Sequence, residues 1–468
     1  LPALDAGDLW RSEGLRALVA QEMMESGDWI VPHLYGEPHL TKPPVMYAAI
    51  ALASWPQGHV TTWSARLPSA LAALATTVLF FWYFRRQFGT RFGIVAALVL
   101  PTSFIWLDKA AAAEIDMLHV AWITAALLFF LRALESDEAL PGQRSWPWWL
   151  AALLCVAGGL LTKWTAPLFF YATVIPLLAW RRRLGLLVRP AHLLAAGLAG
   201  GLCLGWASLA IERVGWTAFI GTVGREALAR VVPSAYEGTY RWSEVPVHPL
   251  RVWGMALPLA LFAVPALRPS FSRHWDERGR RLVQALYCWI GPNLLIWSLV
   301  AEHAPRHSFP LVPGVAGLAA LVWIAWLDGR LGWPFPRVSP AAMFSALIVL
   351  WLAGQVIFVQ VVLPRRNAER QPRARAARLA QLVPAGQPLY VFELRDQNEG
   401  IMFYYGRSLR RLHDPMTLAA DGGTHYCLMP EPAFRLWPNA LDVEVAARLP
   451  DELGGTLLLV CVTRKPEA

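Results

Sequence analysis

Charge is scarce in this chain. Asp, Glu, Lys and Arg together make up 16% of its 468 residues while 56% are hydrophobic, and that balance excludes an ordinary soluble globular protein. Cysteine is equally sparse: five are scattered, and Cys155, Cys203 and Cys288 fall inside apolar runs. No disulfide framework or metal-ligand spacing results, and Cys427 with Cys461 is the one pair placed to bond. Glycine-rich phosphate loops are missing too. Gly422-Gly423 is too poor a pattern for nucleotide binding and reads as a plain loop. There is no internal repeat of the kind that builds transporters from duplicated halves. The net charge of +9 sits in short arginine clusters between apolar runs. Cytoplasmic membrane loops have that arrangement, and nucleic-acid-binding surfaces do not, so no nucleic-acid partner is expected.

What the chain does have is apolar runs in quick succession, the mark of a polytopic α-helical membrane protein. Spans are expected near residues 62–84, 92–107, 115–134, 147–161, 165–180, 190–210, 250–267, 282–300, 308–327 and 341–363. Pro56 and Gly58 stop residues 45–56 short of the ~20 needed to cross, so that stretch reads as a helix lying on the membrane surface. Alternate connections carry Arg85, Arg86 and Arg91; Arg132 and Arg144; Arg181 to Arg183 and Arg189; Arg268, Arg273, Arg278, Arg280 and Arg281; then Arg330 and Arg337. These loops are expected in the cytoplasm. The opposite short connections carry Lys109, Lys163 and Arg306, which puts residues 1–61, the loop 211–250 and the tail outside. The arginines from Arg365 to Arg378 run against this map, and a missed span would move the tail inside. Residues 62–363 thus read as the multi-span domain. Residues 364–468 read as a small soluble α/β domain, with an Arg/Ala helix followed by short β-rich runs. Because Leu1 already opens a loop, a transmembrane helix is expected to precede it.

The most informative stretch is residues 8–47. Leu15, Leu18, Val19 and Met23 are spaced for one face of a helix that would lie on the bilayer interface, ended by Gly27. A Gly36-Glu37-Pro38 turn then leads to Lys42, fixed on an extended backbone by Pro43-Pro44. The motifs Ser12-Glu13, Glu22-Met23, Ser26-Gly27-Asp28-Trp29, Pro32, Lys42-Pro43-Pro44 and Tyr47 resemble the first external loop of bacterial membrane glycosyltransferases of the GT-C class. That class includes protein O-mannosyltransferases and the aminoarabinose transferase acting on lipid A. Two residues depart from the pattern: Ser12 stands where many members have the first carboxylate, and Leu15 where they often have Arg.

The resemblance implies transfer of a sugar, with inversion, from a polyprenyl-phosphate-linked donor to an envelope lipid, glycan or protein on the external face of the plasma membrane. Such transfer needs a base for the acceptor and cations for the departing phosphate. Glu13 matches the retained family acid, although an acid in a first helical turn also complements the dipole. Asp8 and Asp5 lie close enough to replace the carboxylate missing at Ser12. Asp116 resembles the second acidic position, with a helix cap as its simpler role. Lys42, Arg66, Lys163 and Arg306 fall at outer span ends, where cations are otherwise rare, and are the expected donor-phosphate ligands; each alone also suits a snorkelling anchor. His248 resembles a histidine that in some relatives helps hold a divalent metal with an acid before the lysine. Thr41 occupies that acid's place here, leaving Glu37 or His39 to compensate. Arg225 and Arg230 are candidates to contact lipid phosphate or headgroups. A transporter or lipid flippase is the rival class and would carry its ionisable residues at mid-membrane; in this chain they gather at one face.

Overall fold

The computed structural model describes residues 2–139, 145–231, 240–300, 303–394, 398–419, 423–438 and 441–464. Arg144, Gly422, residues 232–239 of the expected external loop and the side chain of Arg230 lie outside that set. The chain divides into two compact units. One comprises Leu1–His39, Met46–Pro68 and Ile357–Ala468, and the other Leu40–Val45 and Ser69–Val356.

The larger unit is helical. Among the described residues of the whole chain, six helices are long and apolar enough to cross a membrane: Thr62–Phe88, Ile115–Asp137, Pro190–Val214, Glu277–Leu299, Pro305–Leu327 and Pro340–Leu382. This is a multi-pass membrane protein. Leu194, Leu198, Leu202 and Leu204 on the Pro190–Val214 helix are all more than half exposed, as side chains facing lipid must be. Two further expected spans are shorter apolar helices, Trp146–Leu160 and Ala166–Trp180.

Two expected spans are broken. The run 92–107 divides into helices Thr90–Val99 and Phe104–Lys109, and the run 250–267 into Glu244–Met255 and Leu259–Ala263. The two breaks meet. Phe104 N–H donates to the Leu257 carbonyl at 2.9 Å, and Ser103 and Pro258 form an isolated antiparallel bridge. Backbone polar groups that a continuous helix would satisfy internally are here satisfied by each other.

In the smaller unit, helix Ser12–Ser26 ends as expected at Gly27, whose φ of 69° caps it in the left-handed conformation. Its apolar face is not laid on a bilayer, however. Leu15, Leu18, Val19 and Met23 are all buried, and the helix packs against Glu399–Tyr405 near the end of the chain. Gly14 makes this approach possible, since a Cβ there would meet the Gly400 nitrogen at 2.4 Å. The expected turn is a two-strand hairpin, β1 (His33–Leu34) and β2 (Glu37–Pro38). Tyr35 and Gly36 between the strands both have positive φ.

The tail carries a five-stranded sheet of β3 (Leu389–Phe392), β4 (Leu409–Leu412), β5 (His425–Pro430), β6 (Leu441–Pro450) and β7 (Thr456–Arg464). Their order is β4-β3-β5-β7-β6; β3 is parallel to both neighbours and β7 antiparallel to both of its own. Four of the strands follow the β-rich runs, and β4 (LRRL) went unread because its arginines mask the alternation. Register rules out the one cysteine pair the sequence left open, Cys427 with Cys461. Cys461 stands opposite Tyr426, and Cys427 opposite Val460, so the two thiols leave opposite faces of the sheet; both cysteines are free.

Candidate active site

In the smaller unit the opening segment wraps one arginine. Arg66 Nε and Nη2 donate to the two carboxylate oxygens of Glu13 at 2.9 and 3.0 Å. Nη1 reaches the carbonyls of Leu4, Ala6 and Gly7, and Nη2 that of Asp8. Every nitrogen of the guanidinium is engaged within the protein, so the geometry makes Arg66 a brace for residues 4–13 rather than a ligand for phosphate. Glu13 has both carboxylate oxygens taken by that fork, so an acceptor hydroxyl would have to displace one of those bonds to reach it.

Asp8 is also committed. Its carboxylate pairs with Arg373 Nε at 2.6 Å, and its N–H donates to Asn367 Oδ1 at 2.9 Å. Glu22 caps the hairpin turn by accepting from Tyr35 and Gly36 N–H at 2.7 and 3.0 Å. Arg11, at a strained φ of 50°, donates its N–H to Glu452 Oε2 at 2.6 Å, and its guanidinium donates to the Glu452 carbonyl. The other Glu452 oxygen accepts from Ile401 N–H at 2.8 Å. Burial raises the Glu452 carboxyl to about 7, against the lowering effect of these hydrogen bonds.

A second cluster belongs to the larger unit. Asp116, in the first turn of the helix that starts at Ile115, does not serve simply as a cap. Its carboxylate accepts from Lys163 Nζ at 2.7 Å, with both side chains buried. Lys163 stands in the turn between helices Trp146–Leu160 and Ala166–Trp180. The charges of Lys109 and Arg306 also act on Asp116. Lys109 is held by Glu114 at 2.6 Å and Asp108 at 3.1 Å. Burial works against its charge, but those two carboxylates outweigh it and hold the ammonium above its ordinary range.

The Lys-Pro-Pro segment is tied to the same turn as Lys163. Val45 N–H donates to the Leu161 carbonyl at 3.1 Å, and Trp164 Nε1 to the Thr41 carbonyl at 3.4 Å. Lys42 Nζ donates to that Thr41 carbonyl at 2.9 Å and pairs with Glu226.

Of the residues singled out from the sequence, Asp116 and Lys163 thus pair directly and the charge of Arg306 acts on Asp116, with Lys42 on a segment tied to the Lys163 turn. Glu13, Arg66 and Asp8 form a network of their own. Sequence reasoning passed over Lys109, although it is one of three cations on the poorly charged connections. It also passed over His119, which is buried one turn after Asp116 with Nε2 3.5 Å from Thr165 Oγ1.

His248 does not fit a metal site. Its Nδ1 is 3.0 Å from Ser298 Oγ and its Nε2 is 3.4 Å from Ser308 Oγ, so both ring nitrogens meet hydroxyls, and among the described residues no acid joins them. Burial, then His303 and Arg251, lower it to about 4. Among the described residues no three His, Cys, Asp or Glu side chains gather as metal ligands. Arg225 is exposed, with Nε on the Gly221 carbonyl of its own helix.

A family model described as dolichyl-phosphate-mannose-protein mannosyltransferase matches residues 41–206. An undecaprenyl phosphate-alpha-4-amino-4-deoxy-L-arabinose arabinosyl transferase of Pectobacterium carotovorum is 27% identical over 364 residues, covering 76% of this chain and 62% of its own. The corresponding transferase 1 of Pseudomonas fluorescens is 26% identical over 339 residues, covering 71% and 57%. The chain therefore spans about three fifths of the length of these curated relatives. Among solved structures, ArnT from Cupriavidus metallidurans bound to undecaprenyl phosphate superposes with a TM-score of 0.74 at 17% identity, covering 98% of this chain and 95% of that one. The fold is the GT-C fold. It extends to the Archaeoglobus fulgidus oligosaccharyltransferase AglB, in complex with an inhibitory peptide and a dolichol-phosphate, at a TM-score of 0.52 and 14% identity over 92% of this chain and 66% of that one. The resemblance drawn from the opening loop is thus matched by a GT-C architecture over almost the whole chain.

Proposed function

We propose that this chain is a glycosyltransferase that moves a sugar, with inversion, from a polyprenyl-phosphate-linked donor to an envelope lipid, glycan or protein on the external face of the plasma membrane. The observation that carries this reading is the buried Asp116–Lys163 pair under the charges of Lys109 and Arg306. In the reaction the bond between the anomeric carbon and the phosphate oxygen breaks, and the acceptor oxygen attacks from the opposite face. The acceptor proton goes to Asp116. Negative charge grows on the departing phosphate, where Lys163, Arg306 and Lys42 receive it. Glu13, Arg66 and Asp8 are positioning residues in this reading, holding the opening segment in shape.

The names of the curated relatives support a lipid-phosphate donor, and undecaprenyl phosphate is the ligand of the ArnT structure. The external placement rests on the arginine alternation. Incubating the purified full-length protein with undecaprenyl-phosphate-linked sugars should release undecaprenyl phosphate and label an envelope acceptor. Absence of release from every lipid-linked sugar offered would end the proposal. In intact cells, an impermeant reagent should label a cysteine at position 42 and not one at 278; the reverse would invert the map.

A further inference from the structure

At the arginine-rich ends of the spans, side chains from four stretches distant in sequence (83–87, 131–136, 181 and 276–282) line one cavity of about 780 Å³ in the larger unit. Five arginines (Arg86, Arg132, Arg181, Arg278 and Arg281) face three carboxylates there. The carboxylates are committed. Glu135 accepts from the Tyr83 hydroxyl at 3.0 Å, from the Gln87 amide and from Arg132. Asp276 caps the Glu277–Leu299 helix by accepting from Gly279 N–H at 2.9 Å, and Glu277 pairs with Arg281 one turn on.

Arg86, Arg132 and Arg278 keep unused donor capacity among the described residues. Arg278 Nη1 donates to the neutral Gln87 carbonyl at 3.2 Å, and neither Arg278 nor Arg86 has a carboxylate partner among the described residues. Arg132 is 7% exposed, and its Nε has no hydrogen-bond partner among the described residues. Leaving a charged donor buried and unsatisfied is costly. An anion in the cavity would relieve it.

We propose that this cavity binds the phosphate of an anionic glycerophospholipid. The volume is that of a ligand site, not of a gap between side chains. The lining residues stand at the termini of apolar helices, Thr62–Phe88, Ile115–Asp137, Ala166–Trp180 and Glu277–Leu299, which is the depth at which lipid phosphates lie. Basic clusters between helices at that depth suit anionic headgroups, and guanidinium forks match phosphate oxygens in pairs. The positive-inside signal of four separate loops thus converges on one binding site.

The test uses full-length protein in phosphatidylcholine nanodiscs, titrated with cardiolipin in one arm and inorganic phosphate in the other. Lipid retention in native mass spectrometry and thermal unfolding are read together. Wild type should retain cardiolipin and gain unfolding temperature, and Arg86→Gln with Arg278→Gln should cut retention at least ~10-fold, the loss of two charge-assisted contacts. Arg280→Gln, exposed on the same stretch but outside the cavity, should retain lipid as wild type does. The paired Arg→Lys variant should restore most of the retention and shows that charge, not folding, is at issue. Equal retention by the double Gln variant and wild type would overturn the site. Stabilisation by inorganic phosphate without cardiolipin retention would overturn the lipid assignment.

Discussion

The two acid–cation pairs, partly buried Glu13–Arg66 in the smaller unit and buried Asp116–Lys163 in the larger, are alike on paper and differ in what surrounds them. Arg66 spends its whole donor fork on one carboxylate and four backbone carbonyls. Lys163 is a point charge with three donors, and further cationic charge acts on its partner Asp116. The first pair stitches backbone together. The second brings cations from separate connections to one carboxylate, with Lys109 among them balanced by Glu114 and Asp108. Proximity of an acid to a cation therefore says little about catalysis until the remaining donors are accounted for.

The sharpest way to break this contrast is at Asp116. Asp116→Asn keeps shape and removes the base, and transfer should fall by at least ~100-fold, the scale of general acid–base catalysis. Lys163→Met should instead lower turnover together with release of the lipid phosphate. Both variants disturb a buried pair, so turnover must be expressed per folded protein. If Asp116→Asn transfers sugar at the wild-type rate, the pair is structural and the contrast collapses.

The second test runs on the other pair. Removing one partner of a buried ion pair costs ~3–5 kcal/mol by leaving the other uncompensated. Arg66→Met should thus loosen residues 4–13 and expose them to protease, and Glu13→Gln should do so less. A Glu13→Gln protein that resists protease as wild type does, yet has lost transfer by ~100-fold, would return Glu13 to the role of base.

These assignments show how far the sequence could be read. The apolar helices were legible, because hydropathy is local in sequence; so was the helix stopped by Gly27. Partners were not. Nothing near Glu13 announces that Arg66, 53 residues on, will take both of its oxygens. The interrupted spans escaped for a related reason. Residues 92–107 and 250–267 each look continuous by hydropathy, and their breaks are stabilised by backbone bonds between Ser103-Phe104 and Leu257-Pro258. Nor does composition show that the opening helix buries its apolar face against Glu399–Tyr405, since an apolar stripe is the same stripe whether protein or lipid covers it.

A smaller effect is expected from pH. Glu452 joins Arg11 to Ile401, and its carboxyl is raised from 4.5 to about 7 in the folded protein. The folded state therefore favours the protonated form. Its contribution is complete below pH 4.5 and is lost as pH rises through about 7, a change of at most ~3 kcal/mol. Protection of the Arg11 region from protease should decline between pH 5 and 8 in wild type and stay level in Glu452→Gln. Wild-type protection that rises over that range would contradict the sign.

The smallest effect, and the finest test of the contrast, lies at Lys42. Its pairing with Glu226 is partly exposed, and such pairs contribute ~0–1 kcal/mol to stability, so thermal unfolding will barely register its loss. Donor kinetics will distinguish two roles by sign. If Lys42 receives the donor phosphate, Glu226 competes with that phosphate for the ammonium. Glu226→Gln should then lower the donor KM a few-fold, while Lys42→Met raises it. If Lys42 instead only fastens its segment to the helix that carries Glu226, both substitutions cut the same fastening and must shift KM in the same direction. Lys42→Arg should recover only part of the affinity, because a planar fork on the Pro-Pro stem presents its donors at a different distance. Opposite signs would place Lys42 with Lys163 as a phosphate ligand; like signs would place it with Arg66 as a brace.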